Sequence, residues 1–224
     1  MKHILLLLAL AASPSLAKTD RPVPVCSDPI KPVLFISPMG EPFRPKGEGD
    51  EPAKRWFDQA DANHDGQLTA GELMLDAERF FVTIDKDRNG ELLPDEVYAY
   101  EQDVAPEIRL YQRRPEPAPG AKPTEEAKPR TKPRPNRPGP IDGVIGAGRY
   151  AFLNIPNPVA SADDDINRAV SLKEFRAAAA ERFRDLDIAQ NKALSFAQLP
   201  KTPAQIAANA ACLERAKEAR EKRR

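Results

Sequence analysis

The chain has 224 residues, with 34 basic and 34 acidic side chains, 24 prolines and 11 glycines. Because its formal net charge is zero, it lacks the basic surplus that is typical of nucleic-acid-binding proteins, so no nucleic-acid partner is expected. Proline at about twice its usual share of about 5%, without a regular glycine period, favours small modules with proline-rich connectors over a single compact globule.

Residues 1–17 have the pattern of a secretion signal. A short basic start precedes an apolar run at residues 4–12, and residues 15–17 (Ser-Leu-Ala) form a small-x-small cleavage site. The apolar run is shorter than the roughly 20 residues of a stable anchor, so we expect cleavage before Lys18 rather than an uncleaved anchor, with no stable membrane insertion afterwards. The mature protein would be periplasmic or secreted, in a compartment where disulfides persist.

Two cysteines remain in the mature chain, Cys26 near its start and Cys212 near its end. An even number of cysteines in an oxidising compartment predicts one bridge between them, and two independent thiols are the alternative. A bridge would tie the two ends of the mature chain together and restrict the unfolded state.

Proline-rich sequence occupies residues 18–50 and the linker at 105–148. In the first segment, the apolar residues Val33–Ile36 are expected to dock as a short extended piece. Within the linker, Arg113–Pro140 carries eight basic and three acidic residues and is net +5. We interpret it as a solvated spacer that could reach on the order of 90 Å as polyproline II. Binding to a polyanion or to the cell wall is the alternative.

Two segments, residues 51–104 and 149–200, repeat each other after a shift of 102 positions. The shift superposes two aspartates that are 24 positions apart in each segment and a set of apolar residues: Asp61 on Asp163, Asp85 on Asp187, Leu73 on Phe175, Ala77 on Ala179, Phe81 on Phe183, Ile84 on Leu186 and Val97 on Leu199. Their spacing predicts an amphipathic helix between the two aspartates of each copy. Residues 201–224 are predicted to form a C-terminal helix with a basic tip.

Residues 61–72 place oxygen donors at alternate positions of a 12-residue loop, as a hard divalent cation requires. The donors are the side chains of Asp61, Asn63 and Asp65, the backbone carbonyl of Gln67, a water held by Thr69, and both carboxylate oxygens of Glu72. Gly66 supplies the left-handed conformation that reverses the chain around the ion. Leu68 is expected to point into the core.

Residues 85–96 repeat this arrangement. The donors are the side chains of Asp85, Asp87, Asn89 and Glu96 and the backbone carbonyl of Glu91, with Gly90 at the turn. Both loops, each preceded by a phenylalanine at the same offset, resemble the EF-hand family at every ligand position. The resemblance implies Ca²⁺ as the cofactor and an all-α fold of duplicated helix–loop–helix pairs joined by the proline-rich linker.

The second segment departs from this pattern. Residues 163–174 keep the side-chain donors Asp163, Asp165, Asn167, Ser171 and Glu174, but Arg168 replaces the glycine, so binding is expected to be weaker. In residues 187–198, Ala189 removes one ligand, Lys192 replaces the glycine, and Gln198 cannot coordinate through a carboxylate. We expect this fourth loop to be metal-free and kept for packing.

The family resemblance implies that loops pair through their eighth position. A helix from about residue 70 to 84, at 1.5 Å per residue, would hold the first two loops about 20 Å apart. One hypothesis is that the two segments dock antiparallel, which pairs Leu68 with Leu194 and Leu92 with Val170. The alternative is a kinked helix and two independent lobes, each closing on its own two loops.

No catalytic group is expected. His64, which is the only histidine after the signal, lies at a solvated loop position, Trp56 is expected in the core, and no nucleophile or acid–base pair is recognisable. The sequence therefore predicts an exported calcium-binding protein, not an enzyme, with a structural or adaptor role and an envelope protein or the cell wall as partner. The alternatives are a calcium-dependent sensor that exposes a groove for a protein partner, and a non-catalytic subunit of an envelope enzyme.

Overall fold

The computed structural model of the chain describes residue 26 and residues 32–109 and 143–222. The predicted signal peptide, the basic stretch at 113–140 and the last two residues of the basic tip lie outside these ranges. Within them, five α-helices are present: α1 (Pro52–Ala60), α2 (Ala70–Ile84), α3 (Pro94–Ala99), α4 (Leu172–Leu186) and α5 (Pro203–Glu221). A π-helical turn at Tyr100–Val104 extends α3.

Six strands of two residues each complete the described fold: β1 (Phe35–Ile36), β2 (Pro42–Phe43), β3 (Leu68–Thr69), β4 (Glu91–Leu92), β5 (Val170–Ser171) and β6 (Ala193–Leu194). They form three antiparallel two-stranded sheets, β1–β2, β3–β6 and β4–β5. About half of the described residues are helical. The prediction of an all-α fold left out these sheets, two of which arise where loops bind each other by backbone hydrogen bonds.

The loops pair across the two segments. Leu68 is opposite Leu194 in the β3–β6 sheet, and Leu92 is opposite Val170 in the β4–β5 sheet. Helix α2 runs unbroken from Ala70 to Ile84, so the first two loops lie at its opposite ends. The antiparallel docking hypothesis is confirmed, and the kinked helix with two independent lobes is wrong.

Helices α2 and α4 form the centre of the molecule. Each has 15 residues and begins with a capping box, Thr69 with Glu72 in α2 and Ser171 with Glu174 in α4. Their buried apolar faces meet, and the rings of Phe81 and Phe175 are 5.5 Å apart. This packing removes from water the stripe that the sequence pattern predicted on each helix.

A single core cluster joins both segments. It includes Leu73 and Ile84 from the first segment, Phe183 and Leu194 from the second, and Phe35 from the N-terminal hairpin. The chain therefore differs from the expectation of small modules joined by connectors, because both segments share one core. A segment of about 50 residues buries too little apolar surface alone, and sharing one core solves this.

The two ends of the described chain are tied to this core. As predicted, Phe35 and Ile36 dock as a short strand, and both are buried. Cys26 and Cys212 form a disulfide with a Cα–Cα distance of 6.0 Å, as the sequence predicted. The predicted C-terminal helix is α5, which carries Cys212 on its buried side. Among the described residues no helix is both long and apolar enough to cross a membrane.

The shared core predicts that residues 48–105 do not fold alone. Without α4, the apolar face of α2 and the inward leucines of both loops lose their partners, so calcium cannot compensate. We expect circular dichroism of this fragment to show a broad, non-cooperative thermal transition with and without millimolar calcium. A longer first fragment, residues 32–109, mixed with residues 143–224 is expected to show a cooperative transition, because the two together contain the whole core cluster. Cooperative calcium-dependent folding of the first fragment alone would contradict the shared core.

Candidate metal centre

The four loops follow one backbone course. Positions four and six of every loop have positive φ angles: His64 (57°) and Gly66 (80°), Arg88 (60°) and Gly90 (84°), Ile166 (60°) and Arg168 (74°), Gln190 (55°) and Lys192 (65°). Position six is thus left-handed even where the sequence has no glycine. Arg168 and Lys192 each adopt a conformation that costs an L-residue about 1–2 kcal/mol.

The first residue of each loop is an aspartate that fixes this course. In the first loop, Asp61 accepts the amide of Asp65 at 3.2 Å with Oδ1 and that of Gly66 at 2.8 Å with Oδ2. The same pair of bonds recurs at Asp85, Asp163 and Asp187. Because Asp187 has this structural task, its presence in the fourth loop does not depend on a metal.

The last residue of the first loop reaches back over the loop. Glu72, which is 8% exposed, accepts the amide and the hydroxyl of Thr69 with Oε2, at 2.9 and 2.8 Å. Its Oε1 accepts the amide of Asn63 at 3.4 Å. The capping box of α2 therefore holds the carboxylate against the loop backbone, and among the described residues Asp61, Asp65 and Glu72 do not form a cluster of oxygens within 4.8 Å. The Thr69 hydroxyl, predicted to hold a water, is engaged by Glu72 here.

The side chains at positions three and five of the first loop also stabilise the turn by accepting backbone hydrogen bonds. Asn63 Oδ1 accepts the amide of Asp65 at 2.8 Å, and Asp65 Oδ1 accepts the amide of Gln67 at 2.8 Å. Each side chain is thereby folded inward over the loop, and both residues are exposed to solvent. Gln67, which is predicted to donate its backbone carbonyl to the ion, lies directly before β3.

The second loop brings its carboxylates together. Oxygens of Asp85, Asp87 and Glu96 lie within 4.8 Å of one another. Glu96 is held by the amide of Lys86, which donates to Oε1 at 2.6 Å, and by the amide of Leu93, which donates to Oε2 at 3.2 Å. Asn89 Oδ1 accepts the amide of Glu91 at 2.7 Å, as in the first loop. Three negative groups this close favour a cation between them.

The third loop keeps the same geometry. Asp163, Asp165 and Glu174 also place oxygens within 4.8 Å of one another. The Ser171 hydroxyl donates to Glu174 at 2.7 Å, and this bond with those of nearby amides holds the pKa of the Glu174 carboxyl below its usual range. Asn167 Oδ1 accepts the amide of Ala169 at 2.7 Å. Within the turn and the ligand positions, the third loop thus departs from the pattern at Arg168, and Asp163 and Glu174 are less buried than their counterparts in the first two loops.

The fourth loop differs at its last position. Gln198 Oε1 accepts the amide and hydroxyl of Ser195, at 2.7 and 2.8 Å, so the capping arrangement is kept without a carboxylate. Position three is Ala189, which has no side-chain oxygen. The fourth loop contributes to packing through Leu194, which is buried, and through Phe196, whose ring centroid is 5.6 Å from that of Phe57.

The entry to the third loop was predicted wrongly. The duplicated pattern predicts an α-helix before Asp163, but the structure has only a 3-10 turn there, Ala160–Ala162. Pro158, which superposes on Trp56 after the 102-residue shift, prevents a longer helix because proline lacks an amide and restricts the residue before it. Pro156, two residues earlier, reinforces the effect, and these prolines are the signal that could have corrected the prediction.

A buried polar group behind the first loop was also missed. Trp56 is buried, as predicted, and its Nε1 donates to Asp76 Oδ2 at 3.0 Å. Asp76 is further paired with Arg79 at 2.7 Å, and Arg79 also pairs with Glu41 of the N-terminal hairpin. An aspartate on the apolar face of a predicted helix was the available signal, since such a group needs a buried partner.

One family comparison bears on these loops. Residues 53–75, which span α1, the first loop and the start of α2, match the family model of the EF hand. This segment of the chain is therefore an EF-hand motif, whose characteristic ligand is calcium, and the oxygen donors of the first two loops are of the kind that this ion prefers. No curated protein and no solved structure matches the chain.

Restoring glycine separates backbone strain from ligand chemistry. Arg168→Gly is expected to raise the free energy of unfolding by about 0.5–1 kcal/mol and to tighten cation binding at the third loop, because the strain at φ 74° is removed. Lys192→Gly is the matched control: it relieves similar strain at 65° but leaves the fourth loop without ligands at Ala189 and Gln198.

Urea unfolding and calcium titration followed by amide NMR signals of each loop would measure both effects. Stabilisation by both variants with tighter binding only for Arg168→Gly is the expected result. New cation binding in the fourth loop of Lys192→Gly would contradict the assignment of that loop to packing.

Proposed function

We propose that this protein is an exported calcium-binding protein in which loops 61–72 and 85–96 each hold one Ca²⁺. The proposal is carried by the complete set of oxygen donors that the sequence of both loops supplies on one backbone course, and the first loop lies within the EF-hand match. Residues 149–200 would be a degraded copy of the first pair, with a weaker third site at 163–174 and a fourth loop kept for packing.

Calcium would act first on stability. Residues 48–103 carry sixteen acidic and five basic side chains, a net charge of −11 that two Ca²⁺ ions would reduce to −7. Repulsion within the loops opposes folding without the ion, and an ion that binds only the folded chain stabilises it. Outside the cell, sites with dissociation constants of about 10⁻⁴ to 10⁻³ M would suffice, as in other extracellular modules.

A structural or adaptor role is favoured over a sensor that opens. Opening would separate α2 from α4, and this contact is the centre of the shared core. The two sheets β3–β6 and β4–β5 cross-link the segments, and the disulfide between Cys26 and Cys212 closes the chain outside them. A calcium-dependent sensor remains the second candidate, with exposed Leu75 and Val82 on the outer face of α2 as its available apolar surface.

The proposal also includes export of the protein and a role without catalysis. Export rests on the pattern of residues 1–17, and the Cys26–Cys212 bridge is consistent with an oxidising compartment. We propose no catalytic role for His64, which is exposed at a left-handed loop position. The partner would be an envelope protein or the cell wall, with a non-catalytic subunit of an envelope enzyme as the less favoured form of the same idea.

Calorimetric titration of the mature protein tests the ligand assignment. We expect two calcium-binding events, of which Glu72→Gln removes one and Glu96→Gln the other, because an amide cannot provide bidentate carboxylate coordination. Asp95→Asn is the matched control, since Asp95 is an exposed neighbour of Glu96 with no predicted ligand role. Absence of binding heat above millimolar calcium would defeat the proposal, and so would unchanged binding in the double variant.

A hydrophobic dye distinguishes the structural role from the sensor. Because calcium is proposed to stabilise a closed core, saturating calcium is expected to leave dye fluorescence unchanged or to lower it. Magnesium at the same concentration and the Glu72→Gln, Glu96→Gln double variant are the controls. A calcium-specific increase in fluorescence that the double variant loses would support the sensor instead.

A further inference from the structure

The third loop is reached without an entering α-helix. The first, second and fourth loops follow α1, α2 and α4, whereas the third follows a single 3-10 turn, Ala160–Ala162. A helix would satisfy most amides and carbonyls of the preceding residues internally, and without one both kinds of group need partners from elsewhere. Asn157 provides part of the replacement, since its Oδ1 accepts the amides of Val159 and Ala160, each at 3.1 Å.

Arg182 of α4 provides the remainder. Its Nη2 donates to the carbonyl of Pro158 at 2.8 Å and to the hydroxyl of Ser161 at 2.9 Å. On its other side, Nη1 donates to the carbonyl of Pro38 at 2.9 Å and contacts Met39 Sδ at 3.3 Å. The guanidinium group therefore joins the entry of the third loop to the turn between β1 and β2.

That turn, residues 37–40, also contacts the helix that follows the second loop, α3. The Tyr100 hydroxyl, at the end of α3, donates to the carbonyl of Gly40 at 2.8 Å. Gly40 has φ 101°, and a Cβ there would lie 2.7 Å from the same hydroxyl, with Val159 also in contact range. The turn thus lies between the end of α3 and the entry of the third loop.

A charged side chain in this position is costly. Arg182 is only 4% exposed, and all four of its contacts are to neutral groups. Burial lowers the pKa of Arg182 to about 10, so it is still protonated at neutral pH. An apolar side chain of similar size would fill the space at a lower desolvation cost, but it could not hold two backbone segments together.

We propose that Arg182 is a positioning residue for the second and third loops, which it holds in register in place of the missing helix. Ser161 lies two residues before Asp163, and the third loop is bonded to the second through β4–β5 and the amide of Leu172, which donates to Gly90 at 3.2 Å. The first and fourth loops, at the opposite ends of α2 and α4, are not held by this group.

Hydrogen exchange in the metal-free, disulfide-bonded full chain tests the proposal without calcium. We expect Arg182→Met to raise the exchange rate of the Leu172 amide by about tenfold, because unsatisfied carbonyls loosen the loop entry. The amides of Leu68 and Leu194 in the other loop pair are expected to change by less than about twofold. The matched control, Arg184→Met, alters an exposed arginine of the same helix and is expected to change neither pair.

Arg182→Lys is the second variant, to be used if Arg182→Met does not fold. Lysine retains the charge but cannot hold both segments at once, so the same local effect is expected with smaller size. Equal acceleration at both loop pairs would reduce Arg182 to a general stabiliser and overturn the proposal. Unchanged exchange at Leu172 would overturn it too.

The consequence for calcium rests on the proposed function. The amide signals of Gly66 and Gly90 report the first and second loops separately during a calcium titration. In Arg182→Ala, the second loop is expected to lose about tenfold in affinity and the first less than about twofold. Millimolar guanidinium chloride is expected to recover part of the loss, and the same concentration of sodium chloride is not.

The two proposals fail in different ways. No calcium response at Gly66 and Gly90 in the unaltered protein would defeat the proposed function, and hydrogen exchange would still decide the role of Arg182. A calcium response in the unaltered protein, followed by equal weakening of both loops in Arg182→Ala, would overturn the positioning role alone.

Discussion

The packing of α2 against α4 is the contact on which the rest of the structure depends. Each helix is 15 residues long and carries a loop at both ends, so a single helix pair places all four loops. Because α2 is unbroken, its two loops cannot reach each other, and each binds the loop that α4 presents opposite to it. The first loop is thereby supported by the fourth, which lacks a donor at Ala189 and a carboxylate at Gln198, and the second by the third, which has Arg168 in place of glycine.

This arrangement explains which residues the third and fourth loops share with the first two. Asp163 and Asp187 accept the same two amides as Asp61 and Asp85, so they are needed for the loop's shape whether or not an ion is bound. Val170 and Leu194 are kept because they complete the core and the sheets. The positions that differ are those needed only to bind the ion or to make the turn without strain. Gln198 stands where the first two loops have a glutamate, and Lys192 stands where they have glycine.

The sequence was informative wherever a feature depends on local spacing. The two donor loops and the bounds of α2 follow from 12-residue patterns and from helical spacing, whereas the pairing of Leu68 with Leu194 was one of two alternatives that only the structure decides. The all-α class missed the small sheets, two of which form only when distant loops meet. Arg182 and Pro38 are 144 residues apart, and nothing local marks their contact. The same holds for the shared core, since the apolar pattern of one segment does not show which segment covers it.

Cross-strand nuclear Overhauser effects in the calcium-saturated mature protein test the central claim most directly. The account predicts contacts between backbone protons of Leu68 and Leu194 and between those of Leu92 and Val170. Each intact loop would then be joined to a loop of the other segment. Contacts between Leu68 and Leu92 would contradict it, because they would require α2 to break and each segment to close on itself.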